Sequence, residues 1–154
     1  MKIAKPLADV INSFEKLPGI GPKTAQRLTY YLLHVPQSQL DQFADALTYL
    51  KKKTVLCKIC KNVSEVDPCP ICQNTNRDHG TILVVEQPLD ILAFERTRKF
   101  NGAYHVLHGA ISPLDGISPD DLKIQELLRR FQTALPKEII LACDTNVEGD
   151  ATSL

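Results

Sequence analysis

No stretch of this sequence is apolar for long enough to cross a bilayer as a helix, and the opening residues MKIAKPLADV hold no long hydrophobic run. A membrane-spanning segment and a secretory leader are therefore not expected, and the default is a cytoplasmic protein. There is no internal repeat and no low-complexity segment, which sets aside repeat arrays and disordered linkers. Net charge is missing too: 18 Lys and Arg balance 18 Asp and Glu. Taken alone, that balance argues against nucleic acid. Its distribution does not, because residues 1–80 carry 11 basic against 7 acidic side chains (net +4) and residues 81–154 carry 7 against 11 (net −4). A chain that cancels overall but divides this way is expected to hold two functional parts.

What is present reads in order along the chain. Its 154 residues suffice for one ordinary domain, or a small domain with helper modules. Leu7, Val10, Ile11, Phe14 and Leu17 fall at three- and four-residue spacing and predict a helix over 7–17. PGIGP breaks it, KTAQRLTYYLLH predicts a second helix, and Pro36 ends that one. Ser38 followed by Asp41 predicts an acidic capping box opening a third helix through about Lys52. Beyond Gly80 the period changes. Strands are expected over 81–86, 103–108 and 138–143, with helices over 88–100 and 120–135 between them, the pattern of a parallel sheet covered by helices.

Five cysteines in an unsecreted chain suggest metal or free thiol before disulfide. Four of them form Cys57-x2-Cys60-x8-Cys69-x2-Cys72, two tight turns whose thiolates can close a tetrahedron around Zn²⁺. Pro68 and Pro70 stiffen the second turn. So short a module, poor in large apolar residues, is expected to fold only with its metal. Structural zinc is the reading, with an iron–sulfur centre or two disulfides as alternatives. Four thiolates leave no open position for a catalytic metal. Cys143, at a strand end, is expected to be a buried small apolar residue.

LPGIGPKTAQRL joins the first two helices through Gly19-Ile20-Gly21. The glycines permit backbone conformations closed to other residues, and the next helix N-terminus can present N–H groups to phosphate. Lys23, Thr24 and Arg27 follow, with Lys23 and Arg27 one turn apart, positioned for flanking phosphates. Such contacts bind DNA without reading bases and weaken with salt. The competing explanation is an ordinary interhelical turn with a solvated basic face. Lys51, Lys52 and Lys53 either extend this basic surface or complement a helix end.

Glu86 ends the first expected strand, and Asp144, Asn146, Glu148 and Asp150 follow the third. Beyond the carboxyl ends of parallel strands these groups can converge, and oxygen-rich clusters suit Mg²⁺. The pattern resembles a Toprim domain, with one carboxylate replaced by the Asn146 amide. That leaves less charge for a metal, so Mg²⁺ binding is expected to be weak at most. No tyrosine or other nucleophile stands nearby, so no catalytic residue is assigned. Solvated loop acids are the alternative.

In this order the three motifs, together with VVEQPLDILAFE, GAYHVLHGAISPLDGISPDDL and VEGDAT, resemble the RecR family of bacterial recombination mediators over essentially the whole chain. The implied fold is multi-module α plus α/β: a helix-hairpin-helix region over 1–56, a four-cysteine zinc finger over 57–80 and an incomplete Toprim domain over 81–154. The implied role is a non-enzymatic clamp in recombinational DNA repair, binding single- and double-stranded DNA without sequence preference. RecO and RecF are the implied partners in loading RecA, and dimers building rings the implied assembly. Lys23 and Arg27 would face DNA. Glu86, Asp144 and Glu148 would belong to an acidic surface used for partners more than for phosphoryl transfer. Two departures stand out. Family chains run on by some tens of residues, so a truncated chain with an exposed strand edge and weakened assembly is expected. Asp144 also stands where members often carry a neutral residue. A metal-dependent Toprim phosphoryl-transfer enzyme is the alternative function, and a zinc-stapled interaction module that never meets DNA is a third.

Overall fold

The computed structural model describes residues 3–154, so the first two residues of the region expected over 1–56 lie outside it. The chain divides into two compact units, one ending at Lys52 and one spanning Lys53–Leu154.

The first unit is all-helical, with α1 over Lys5–Glu15, α2 over Pro22–Leu32 and α3 over Gln37–Leu50. Proline at the start of α1 and α2 sits where a missing N–H costs nothing. Ile11 of α1 and Ala25 and Thr29 of α2 are buried where these two helices meet, and the Thr29 hydroxyl donates to the Ala25 carbonyl at 2.9 Å. The expected Ser38–Asp41 capping box does not form. Pro36 occupies the N-cap without a side-chain cap, and the Gln37 amide takes the Asp41 carboxylate instead, at 2.8 Å. Helix α3 therefore opens two residues earlier than a Ser38 cap would set, and Asp41 is held by the side chain of the helix's first residue rather than by a capping serine.

The second unit begins with a metal-knuckle motif: β1 (Val55–Leu56) pairs antiparallel with β2 (Val63–Ser64), and α4 (Pro70–Gln73) follows. Next come β3 (Asp78–Val85), α5 (Pro88–Thr97), β4 (Gly102–Val106), a single 3-10 turn at Pro119–Asp121, α6 (Ile124–Thr133), β5 (Glu138–Ala142) and α7 (Val147–Ser153). The sheet is parallel in the order β4-β3-β5, so the chain moves to one side of β3 and then crosses to the other. Alternation along β3 feeds both faces. Leu83 and Val85 pack with Ile91 and Phe94 of α5 and with Tyr104 and Val106. Ile82 and Val84 pack with Leu107 and with Leu127 and Phe131 of α6. Being covered on both faces is why β3 is continuously apolar over Ile82–Val85, each buried side chain contributing about 2 kcal/mol. On the outer strand β5, Ile139, Ile140 and Leu141 remain 36–50% exposed.

The helix expected over 120–135 is two pieces. Ser118 and Asp121 cap the 3-10 turn reciprocally, and Leu122 then runs extended (φ −95°, ψ 162°) with its side chain buried. The Lys123 N–H reaches the Leu107 carbonyl at 2.9 Å, so β4's continuation recruits this segment before α6 can start. The Lys123 carbonyl in turn meets His105 Nε2 at 2.8 Å.

His105 is fully buried, its Nδ1 finds no hydrogen-bond partner among the described residues, and burial holds its pKa down at about 4. The native state thus keeps it neutral, while the unfolded chain takes up a proton near the ordinary value of about 6.5. Stability from this residue is complete above pH 6.5 and is lost as pH falls toward 4, by up to about 3 kcal/mol. Urea midpoints measured with saturating zinc from pH 7.5 to 4.5 should fall, and His105→Gln should flatten that slope. An equal slope in both chains would discount the effect.

Candidate functional sites

The turn between α1 and α2 holds the first candidate site. Gly19 takes φ +77°, a left-handed conformation that favours glycine. Gly21 does not, and this corrects the expectation for it: its φ is −86°, open to any residue. What Gly21 supplies is room, because a Cβ built there meets nothing within 4 Å. It is also the N-cap of α2, and no side chain caps that end. The first-turn N–H groups and the positive end of the helix dipole consequently face an open surface. Beside them lies a recess of about 370 Å³ lined by Lys23, Thr24 and Arg27. Both cationic side chains are exposed and Thr24 is half-buried. Of the lysine run, Lys51 is the C-cap of α3, and Lys52 Nζ lies 5.9 Å from the Tyr49 ring centroid, a contact within its own helix end.

The second site is the cysteine cluster. Ligand atoms of Cys57, Cys60, Cys69 and Cys72 all lie within 4.8 Å of one another, with Cys60 and Cys69 Sγ at 3.5 Å. Zn–S bonds of about 2.3 Å at tetrahedral angles require sulfurs about 3.8 Å apart, so the donor set fits Zn²⁺. Three of the sulfurs perturb one another through hydrogen bonds. The hydrogen bond with Cys69 pushes Cys60 up to about 12, those with Cys60 and Cys69 push Cys72 up, and those it accepts from Cys60 and Cys72 pull Cys69 down to about 2. Zinc here is structural, its coordination closed by four thiolates. The Cys69 N–H also points at Cys57 Sγ at 3.4 Å, an outer contact that orients the ligand. The knuckle is tied to the sheet: Val106 N–H donates to the Cys60 carbonyl at 2.9 Å, and His108 Nε2 meets the Lys61 carbonyl at 2.6 Å. Cys143 stands apart, half-buried against the Ile82 and Val84 cluster, where burial pushes its thiol pKa up.

The third site lies beyond the carboxyl ends of β3 and β5, where the strand order reverses. Glu86 is buried, and its Oε1 accepts the Asp144 N–H at 2.9 Å, which brings the ends of the two strands together. Asp144 and Asp150 are exposed and Glu148 is half-buried. Asn146 has a role the sequence reading missed. It is the N-cap of α7, and its Oδ1 accepts the Gly149 N–H at 2.7 Å. The oxygen offered to a metal in the sequence reading is thus committed to the backbone. The available signal was Asn three residues before Gly149 at the head of VEGDATS, a capping position.

Three families match the chain in order: the RecR helix-hairpin-helix over residues 7–50, the RecR four-cysteine zinc finger domain over 54–74 and the Toprim domain over 80–154. Relatives match across the modules. The chain is similar to "Recombination protein RecR" of Herpetosiphon aurantiacus, 50% identical over 97% of this chain and 73% of that protein. The protein of the same description from Carboxydothermus hydrogenoformans is 49% identical over 100% of this chain and 77% of its own length. That from Tropheryma whipplei is 50% identical over 94% and 73%.

Proposed function

The chain belongs to the RecR family, and from that membership we propose that it is a non-enzymatic mediator of recombinational repair that binds DNA without reading its sequence. The observation that carries this reading is the hairpin recess. Lys23 and Arg27 flank an uncapped helix N-terminus, and the glycine at its mouth leaves the backbone open to close approach. That is a phosphate-binding arrangement with no group placed to discriminate bases. The double variant Lys23→Ala/Arg27→Ala should weaken DNA binding about 10- to 100-fold, uniformly across sequences, and lower the salt slope by about 2. Both side chains are exposed, so the melting temperature should stay put. Undiminished affinity, or a loss confined to certain sequences, would sink the reading.

The acidic sheet end supports partner binding over phosphoryl transfer. One Glu86 oxygen already holds the Asp144 backbone, and the Asn146 oxygen already caps α7, leaving the exposed carboxylates of Asp144 and Asp150 and half-buried Glu148 for docking. Acids so displayed hold Mg²⁺ loosely. RecO and RecF are the proposed partners, with RecA loading the outcome and a homo-oligomeric ring the working assembly. Mg²⁺-dependent DNA cleavage by the purified chain, abolished by Asp144→Ala, would instead establish the enzyme reading.

A further inference from the structure

A second cationic surface lies wholly within the Lys53–Leu154 unit, in an open groove of about 450 Å³ between the zinc knuckle and α6. Lys58 and Lys61 line it from the knuckle, and Arg129 and Arg130 from the last turns of α6. Among the described residues its one lining carboxylate is Glu126, whose Oε1 is shared by Lys61 at 3.9 Å and Lys123 at 3.8 Å. Asp67 pairs with Lys58 at 3.2 Å. Five cations therefore converge against two carboxylates, within a sheet-bearing half of the chain that is acidic overall. An arginine in the last turn of α6 complements the helix dipole. That does not account for lysines delivered to the same groove by a different element. Like charges brought together repel unless an anion joins them.

We propose that this groove is a second phosphate-binding subsite, which takes the backbone of duplex DNA. The proposal rests on the DNA-binding reading above and adds to it a site outside the hairpin. The shape of the lining favours nucleic acid over an acidic protein. Protein partners are held by aromatic and aliphatic anchors in pockets, and here only Ile59 and Ala134 are apolar. Among the described residues no aromatic ring lines the groove to stack an unpaired base, which favours duplex over single strand. Arg130 is held in place by its Nη1 donating to the Tyr104 carbonyl at 2.8 Å, so one cation of the set is positioned in advance.

The test is duplex binding by the full chain as a function of salt. Lys58→Ala/Arg129→Ala removes two exposed cations and leaves intact the Lys58 backbone bond to Asp67. It should weaken binding about tenfold at ~0.1 M salt and lower the salt slope by about 1 to 2. Arg96→Ala/Lys99→Ala, with equal charge loss elsewhere on the unit, should change neither. Equal behaviour of the two double variants would overturn the subsite while leaving the hairpin reading standing, whereas a wild-type chain that fails to bind duplex would sink both. In a Lys23→Ala/Arg27→Ala background, titrated duplex should still shift the amide resonances of Ile59, Lys61 and Thr133. Shifts absent from these residues overturn the subsite, as does poly-glutamate shifting them at lower concentration than duplex.

Discussion

Cys60→Ser chains are expected to purify without zinc and with the knuckle unfolded, where the wild type carries about one zinc per chain. The reason is the poverty of the knuckle's own core. Its buried cluster is Cys57, Cys60 and Cys69, backed by Ile71 and Cys72, and its two strands have two residues each. Hydrophobic burial on that scale contributes only a few kcal/mol, against on the order of 10 kcal/mol for zinc on four thiolates. The loss should spread beyond the knuckle. The Cys60 carbonyl receives Val106 at the end of β4, and the Lys61 carbonyl meets His108, so two anchors at the sheet's end depart with the metal. A fall in melting temperature of about 10–20 °C should follow for the unit, with the same fall on chelating zinc from the wild type. Cys143→Ser is the internal control: that thiol packs against Ile82 and Val84 rather than in the cluster, and its loss should leave zinc content unchanged. Zinc retained by Cys60→Ser, or lost from Cys143→Ser, would show the ligand set to be wrong.

The parts legible in the sequence were those whose physics is local or periodic. The stripe around Ile11 marked α1 because a helix face repeats every three to four residues, and Ile82 through Val85 marked β3 because a strand buried on both faces has no polar alternation. Cysteine spacing marked the knuckle because two tight turns confine their thiols whatever surrounds them. What was not legible depends on partners distant in the chain. Leu122 splits the 120–135 segment because Leu107 and His105, on another element, take the backbone of Lys123. Gly21 reads as a conformational glycine, yet only the folded backbone distinguishes its role from that of Gly19. Asn146 reads as a weakened metal ligand, and its capping bond appears only once α7 does.

Gly149→Ala should release α7 and disturb the acidic sheet end. A Cβ built at Gly149 falls 2.0 Å from the Asp144 carbonyl oxygen and 2.9 Å from the Asp144 carbonyl carbon, both backbone atoms. No flexible side chain can yield, so the helix or the strand end must move, at a cost of about 3–5 kcal/mol. Seven residues of helix have little stability of their own. Helix α7 is held by the Asn146 cap and by Thr152, whose Oγ1 accepts the Ile111 N–H at 2.8 Å. The substitution exceeds what those bonds return, each about 1 kcal/mol, so α7 should detach while the sheet survives. Amide exchange should report this directly. Ile111 loses its acceptor and should exchange at least about 100-fold faster, and Asp144, displaced from Glu86, should follow, while Val84 in the central strand stays protected. Gly21→Ala makes the contrast, since its added methyl meets nothing within 4 Å and its backbone is unstrained, so exchange in both units should be unaltered. Because the substitution removes no carboxylate, any loss of partner binding in Gly149→Ala would trace to how Asp144 and Glu148 are presented rather than to their charge. Unchanged protection at Ile111 and Asp144 would mean that α7 does not fix the shape of this surface.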